Sequence, residues 1–191
     1  MLKKIIEIDQ YLFLKINQSG QNIYFDTVLP FARTPVFWAP VYLFLLVFIF
    51  INFGKKSWWW VCGFLLNVSL TDIISSKIIK PLVARPRPCM DEYFSEKVRL
   101  LVNGCGANGS FTSSHAANHF GIAMFLIITL KHFLPKYIYL AFVWAAVISY
   151  AQIYVGVHYP TDIIGGALVG LFTGWITGNF YNTKRGLLAL N

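Results

Sequence analysis

Two of the four histidines, one aspartate and a run of cations are the residues of this chain whose types and spacing could do chemistry. His158 and Asp162 stand four residues apart in "HYPTD", with Pro160 between them. Proline suits the first turn of a helix, so His158 should lie just before a helix and Asp162 inside its first turn. A carboxylate placed there can reach back to one imidazole nitrogen and leave the other free to attack an electrophile. Acids in first turns also simply cap helices, but the histidine four residues earlier favours orientation of the ring. His115 follows "SFTSS", which reads as a second helix start, where free backbone amides and the helix dipole favour an anion. Ser113 adds a hydroxyl, and His115 is then placed to act as an acid. Lys80, Arg85 and Arg87, within "KPLVARPRP", supply fixed positive charge and forked donors suited to phosphate oxygens. A nucleophile, an acid and an anion cradle together describe phosphoryl transfer. His119, one turn beyond His115, reads as packing or support.

These groups are scattered over about eighty residues, so the surrounding elements must bring them together. The chain has 191 residues, 57% hydrophobic, 17% aromatic and only 13% charged. The charged share is about half the usual value, and several apolar stretches approach the ~20 residues needed to cross a bilayer. The expected fold is all-α, a polytopic helical membrane protein in one domain spanning 1–191, with five or six transmembrane helices and an N-terminal amphipathic helix. Spans are expected at 36–53, 58–79, 113–134, 137–157 and 161–181. Residues 1–20 read as an interfacial helix. Ile5, Ile8, Leu12 and Ile16 form its apolar stripe, and Lys4, Asp9 and Lys15 mark a wetter side. Glu7 and Asp9 interrupt this region too early for a secretory signal. Residues 18–35, with Gly20, Pro30 and Pro35, read as a connection. The net charge of +8 does not point to nucleic acid, because the cations sit in short clusters between apolar runs. "GKKS" (54–57), "KHFLPK" (131–136) and "NTKRG" (182–186) alternate so as to share one side, which the positive-inside rule makes cytoplasmic. The long loop 80–113 and the "GVHYPTD" junction must then share the other side, at one membrane depth. If the N-terminal helix crosses as well, the count becomes six. Cys89 and Cys105 both fall in that loop, where a bridge and two free thiols are equally weighted readings; Cys62 reads as an apolar filler. Asp72 and Lys77, inside the second span, are either support for the basic cluster or part of an interhelical network. Gly166, Gly170, Gly174 and Gly178 form a stripe that lets a neighbouring helix approach closely. Trp58–Trp60 read as an interfacial anchor.

These residues resemble three motifs of the type 2 phosphatidic acid phosphatase family. Its first motif, Lys, six residues, then Arg-Pro, is matched by Lys80, Arg87 and Pro88. The second, Pro-Ser-Gly-His, is matched by Thr112–His115, with Thr112 for Pro and Ser114 for Gly. The third, Ser-Arg, five residues, His, three residues, Asp, is matched by His158 and Asp162, but Ala151 and Gln152 stand where the pattern has Ser-Arg. The resemblance implies hydrolysis of a phosphomonoester or pyrophosphate on a membrane lipid, such as phosphatidylglycerophosphate, undecaprenyl pyrophosphate or a lipid A phosphate. It assigns His158 as the nucleophile that forms a phosphohistidine, Asp162 as its partner, and His115 as the acid. Lys80, Arg87, Ser113 and Ser114 would hold the phosphate oxygens, with Arg85 and Gln152 weaker members of that set. Gln152 can hydrogen-bond but brings no charge, and losing a charge-assisted bond costs about 1.5–3 kcal/mol unless another cation compensates.

The resemblance implies no cofactor and no metal; the acids of "DEYFSE" (91–96) read as a solvated loop. The expected partners are a phosphorylated lipid and the bilayer, with no nucleic acid and no oligomeric state specified. The expected location is the bacterial inner membrane, with the site facing the periplasm. Two other readings stay open: a phosphotransferase that passes the phosphoryl group to an acceptor other than water, and a catalytically weak lipid-phosphate binder or transporter on the same scaffold.

Overall fold

The computed structural model describes residues 2–187, which are helical with no strand among the described residues. Helix α1 (Leu2–Leu14) runs into a wide π turn over Lys15–Ser19. Then follow α2 (Ile23–Ala32), α3 (Ala39–Phe53), α4 (Lys56–Asp72), α5 (Lys80–Val83), α6 (Ser114–Leu130), α7 (Leu140–Tyr154) and α8 (Pro160–Arg185). A second π segment, Ile73–Ile79, joins α4 to α5, so the expected stretch 58–79 is part of a much longer rod. Among the described residues, four stretches are long and apolar enough to cross a bilayer: Pro35–Phe53, Lys56–Met90, Tyr137–Tyr154 and Pro160–Lys184.

The expected span 113–134 is shorter: α6 has 17 residues and ends at Leu130, where the polar, proline-containing turn begins. It is also the most enclosed helix, burying Ala116, Ala117, Gly121, Ala123 and Phe125 against α4, α7 and α8. The glycine stripe of α8 explains how closely it packs. A Cβ at Gly170 would lie 2.1 Å from the Ala117 carbonyl oxygen, and one at Gly166 would lie 2.4 Å from that of Ser113. Only glycine permits this approach. One consequence reaches the site: the Ser113 amide donates to the Asp162 carbonyl at 3.0 Å, tying the start of α6 to the start of α8. Deeper in the bundle, Thr71 meets Thr173 at 2.8 Å and Thr177 donates to Asn67 Oδ1 at 3.0 Å, so α4 and α8 share a hydrogen-bonded seam.

The N-terminal part departs from expectation in two ways. On α1 the apolar stripe Ile5, Ile8 and Leu12 is exposed, while Asp9, Phe13 and Asn17 are buried. The exposed stripe is what an interfacial helix would turn to lipid; on the expected wetter side Lys4 and Lys15 stay exposed, and Asp9 alone packs on the protein. The buried residues turn inward because Phe13 stacks edge-on with Phe94 and packs on Tyr159, and both polar residues find partners. Residues 18–35 contain helix α2 rather than a connection alone. Asn22 caps α2 by accepting from the Tyr24 amide at 2.9 Å. Leu29 packs on Ala151 and Tyr154 of α7, which offsets the hydrogen bond that Pro30 cannot make. Trp60 is a core residue, not an anchor: it is buried among Phe64 and Phe125 and donates to Thr129 at 3.0 Å, whereas Trp58 and Trp59 are exposed.

Candidate active site

The site is built where α5, α6, α8 and the loop 84–113 meet under α1 and α2. His158 sits between α7 and α8, buried, with Nδ1 3.5 Å from Asp162 Oδ2. That is slightly longer than a good hydrogen bond, as is common before a substrate tightens a site. Burial pushes the His158 imidazole down to about 4, against the opposing pull of Asp162, with Arg87 and Lys80 adding to the fall. The neutral ring is therefore the resident form at neutral pH.

Asp162 does two jobs with one carboxylate. Oδ2 accepts the Tyr159 amide at 2.8 Å, capping α8, while also facing His158. Oδ1 accepts Arg85 Nη1 at 2.8 Å. Arg85 is held in turn by Thr161 Oγ1 at 2.8 Å and by Asp9 at 2.7 Å, with its guanidinium 4.1 Å from the centre of the Tyr159 ring. Asp9 also accepts the Thr161 amide at 2.9 Å, so α1 closes this network from above. Arg85 is thus engaged with two carboxylates and is not among the residues that border the histidine-lined cavity.

That cavity has a volume of about 250 Å³, and both His115 and His158 border it. Lys80, Arg87, Ser76, Ser114 and the loop around Gly106 line the rest. Buried Lys80 donates to the Gly109 carbonyl at 2.9 Å, and Arg87 donates to that of Asn108 at 2.9 Å. Cys89 and Cys105 are joined by a disulfide, which resolves the open choice and fixes the loop carrying these contacts. At the head of α6, Ser113 caps the helix, and its Oγ accepts the Ala116 amide at 3.4 Å. Ser114 and His115 follow as the first helical residues, so their amides have no partner in the preceding turn. Ser114 Oγ meets Ser76 Oγ at 2.7 Å, and Ser76 donates to Asp72 at 2.9 Å, which makes Asp72 a support of the site's edge. His119 donates from Nδ1 to the His115 carbonyl at 2.7 Å and packs against Trp144, as a supporting residue would. A second cavity, of about 450 Å³, adjoins the first through Ser76, Lys80, Arg87 and Asn108 and extends past Arg85 and Met90.

Of the residues expected at the site, His115, His158, Lys80, Arg87 and Ser114 meet at one cavity, with Asp162 behind His158 and Ser113 at the cap. Gln152 is buried and does not line it. Its Oε1 instead accepts Arg33 Nε at 3.2 Å and Nη2 at 3.1 Å, and Arg33 borders the cavity. Arg33 was not legible as a site residue. It follows α2 in a stretch read as a connection, 119 positions from its partner.

Cations and imidazoles gathered at one end of a membrane bundle define a class, and the family model agrees: the PAP2 superfamily matches residues 57–185, and the chain belongs to it. Its relatives include the lipid A 4'-phosphatase of Bacteroides thetaiotaomicron, 34% identical over 92% of this chain and 78% of that protein. The lipid A 4'-phosphatase of Porphyromonas gingivalis is 31% identical over 96% and 77%. Among solved structures, the PAP2-type phosphatidylglycerolphosphate phosphatase of Bacillus subtilis shares the fold, with a TM-score of 0.68 at 21% identity over 95% of this chain and 88% of that one. LpxE of Aquifex aeolicus superposes with a TM-score of 0.58 at 29% identity, over 87% and 92%.

Proposed function

We propose that this chain removes phosphate from a membrane lipid through a phosphohistidine on His158. The observation that carries this reading is one cavity bordered by both imidazoles and by cations that no carboxylate among the described residues meets at ion-pair distance. With Nδ1 facing Asp162, Nε2 of His158 attacks phosphorus. The lipid oxygen leaves with a proton from His115. His115 then takes a proton from a water that attacks phosphorus, the P–N bond breaks, and inorganic phosphate departs. Lys80, Arg87 and the amides of Ser114 and His115 hold the phosphate oxygens as charge redistributes. Arg85 acts on Asp162 instead of on the transferred phosphate.

The substrate class favoured here is a lipid A phosphate at the 4' position. Two relatives named for that activity each align with more than nine-tenths of this chain. The adjoining cavity of about 450 Å³ offers room for a head group larger than a bare phosphate. The basic turns 54–57 and 131–136 lie at the other end of the helices from the site, which favours a bacterial inner-membrane protein with its site toward the periplasm.

The test is phosphate release by purified protein in detergent micelles from lipid A, a polyprenyl diphosphate and a glycerophospholipid phosphate. Lipid A should be the best substrate, and His158→Ala should lower turnover at least about a thousandfold. Full turnover in that variant would remove the proposed nucleophile.

A further inference from the structure

We infer that Arg33, at the end of α2, is a phosphate-binding residue of this site and that Gln152 is the residue that positions it. The inference rests on the phosphatase reading for the reaction, but it stands on its own geometry.

Consider first how each arginine near the site is held. Arg85 lies 2.7 Å from Asp9 and 2.8 Å from Asp162. Arg99 lies 2.7 Å from Asp26. Arg33 has no carboxylate within ion-pair distance among the described residues; its anchor is the neutral amide oxygen of Gln152. A half-buried guanidinium beside other cations is poorly placed without an anion. Both burial and the nearby charge of Arg87 disfavour its protonated form. The missing partner is an anion that enters the cavity Arg33 borders, and His115, His158, Lys80 and Arg87 border the same cavity.

The anchoring is directional. Gln152 Oε1 accepts from Nε and Nη2, along one side of the fork. Nη1 and the second hydrogen of Nη2 have no partner among the described residues. Two donors on a planar fork suit two oxygens of a phosphate. Gln152 itself is fully buried and outside the cavity lining, so it cannot take the substrate directly. Position 152 thus holds a cation supplied from elsewhere in the chain in place of carrying one.

The scaffold keeps α2 fixed enough for this. Asp26 accepts two bonds from Arg99 and one from the Tyr154 hydroxyl at 2.5 Å. Asn17 binds both the Arg99 amide and the Tyr154 carbonyl at 2.8 Å. Trp38 donates to the Ala32 carbonyl at 2.6 Å, immediately before Arg33. The N-terminal half of α2 is therefore tied to α7 and to the loop that follows α5, and its C-terminal end to the turn Pro35–Trp38 that follows it.

The experiment compares wild type, Arg33→Gln, Arg33→Lys and the exchanged double variant Arg33→Gln/Gln152→Arg. The readouts are kcat/KM for phosphate release and the inhibition constant of inorganic vanadate, a phosphate mimic that needs no lipid. Arg33→Gln should lose about ten- to a hundredfold in kcat/KM and weaken vanadate by a similar factor, as expected for one charge-assisted contact. Arg33→Lys should fall between it and wild type. The exchanged variant should recover at least about tenfold in vanadate affinity, because charge returns from the other side of the same pair. A vanadate constant unchanged in Arg33→Gln overturns the inference. So does a weakened one that neither Arg33→Lys nor the exchange improves, since the loss is then structural. If wild type releases phosphate from no lipid, the phosphatase reading fails, yet vanadate binding followed by thermal shift still decides the role of Arg33.

Discussion

The site has two halves built from the same kinds of side chain and used differently. Around the cavity, Arg33, Lys80 and Arg87 are each anchored by a neutral oxygen, from Gln152, Gly109 and Asn108 respectively. Behind His158, Arg85 is anchored by the carboxylates of Asp9 and Asp162. A neutral acceptor fixes direction and leaves the positive charge unspent. A carboxylate spends it. On the proposed reading the first half attracts an anion, and the second converts an arginine into a strut that orients Asp162 beside the proposed nucleophile. What an arginine does here follows from what holds it, more than from its distance to the cavity.

The largest test of this division falls on the open half. Arg87→Ala should lower kcat/KM by about ten- to a hundredfold, with a matching loss of vanadate affinity, because it removes a charge that no carboxylate among the described residues meets at ion-pair distance. An unaltered vanadate constant would show that Arg87 only braces the loop around Gly106. A smaller effect is expected from the closed half. Asp9→Asn should lower kcat by about three- to tenfold while KM stays within about twofold, since Arg85 and Thr161 lose the carboxylate that holds them and Arg85 orients Asp162 less firmly, without any change in the cavity. A raised KM with kcat intact would move Arg85 into the anion-holding set and collapse the contrast. The smallest effect is on stability and is silent for turnover at neutral pH. His158 is held at about 4, below its ordinary 6.5, because burial disfavours the charged ring. The unfolded chain takes up this proton as pH falls below about 6.5, and the folded chain does so only near 4. Stability should therefore drop on acidification through that window and stay level above it. Melting temperatures in detergent between pH 7 and 4.5 should show a shallower acid dependence for His158→Ala than for wild type. Equal slopes would mean the buried ring contributes nothing to it.

Much of the candidate site was readable because its residues lie in short local patterns. The four-residue spacing of His158 and Asp162, the serines before His115, and the Lys80–Arg87 run each declare a helix end or a cation cluster. The glycine stripe of α8 likewise announced a close helix neighbour, and Gly170 meets Ala117 as that pattern demands. Asp9 and Arg33 were hidden for one reason. Their partners are Thr161, 152 positions away, and Gln152, 119 positions away, and no local periodicity encodes such a pairing. The inward turn of Asp9 on α1 was hidden on the same ground. Hydrophobicity separates the apolar stripe of α1 from its polar side, but it cannot say that one acid of the polar side turns inward to an arginine. Trp60 is a similar case, since only the packing of Phe64 and Phe125 distinguishes it from its exposed neighbours.

The sequence by itself determined a helical membrane protein with two imidazoles, an acid and a cation run at helix ends, because hydrophobic length and helix-terminus chemistry are local properties of the chain. Only the tertiary structure decided which cations face the cavity and which are neutralised behind it. That choice depends on which oxygen each guanidinium meets, and the meeting is set by α1 and α2 docking over the ends of α7 and α8.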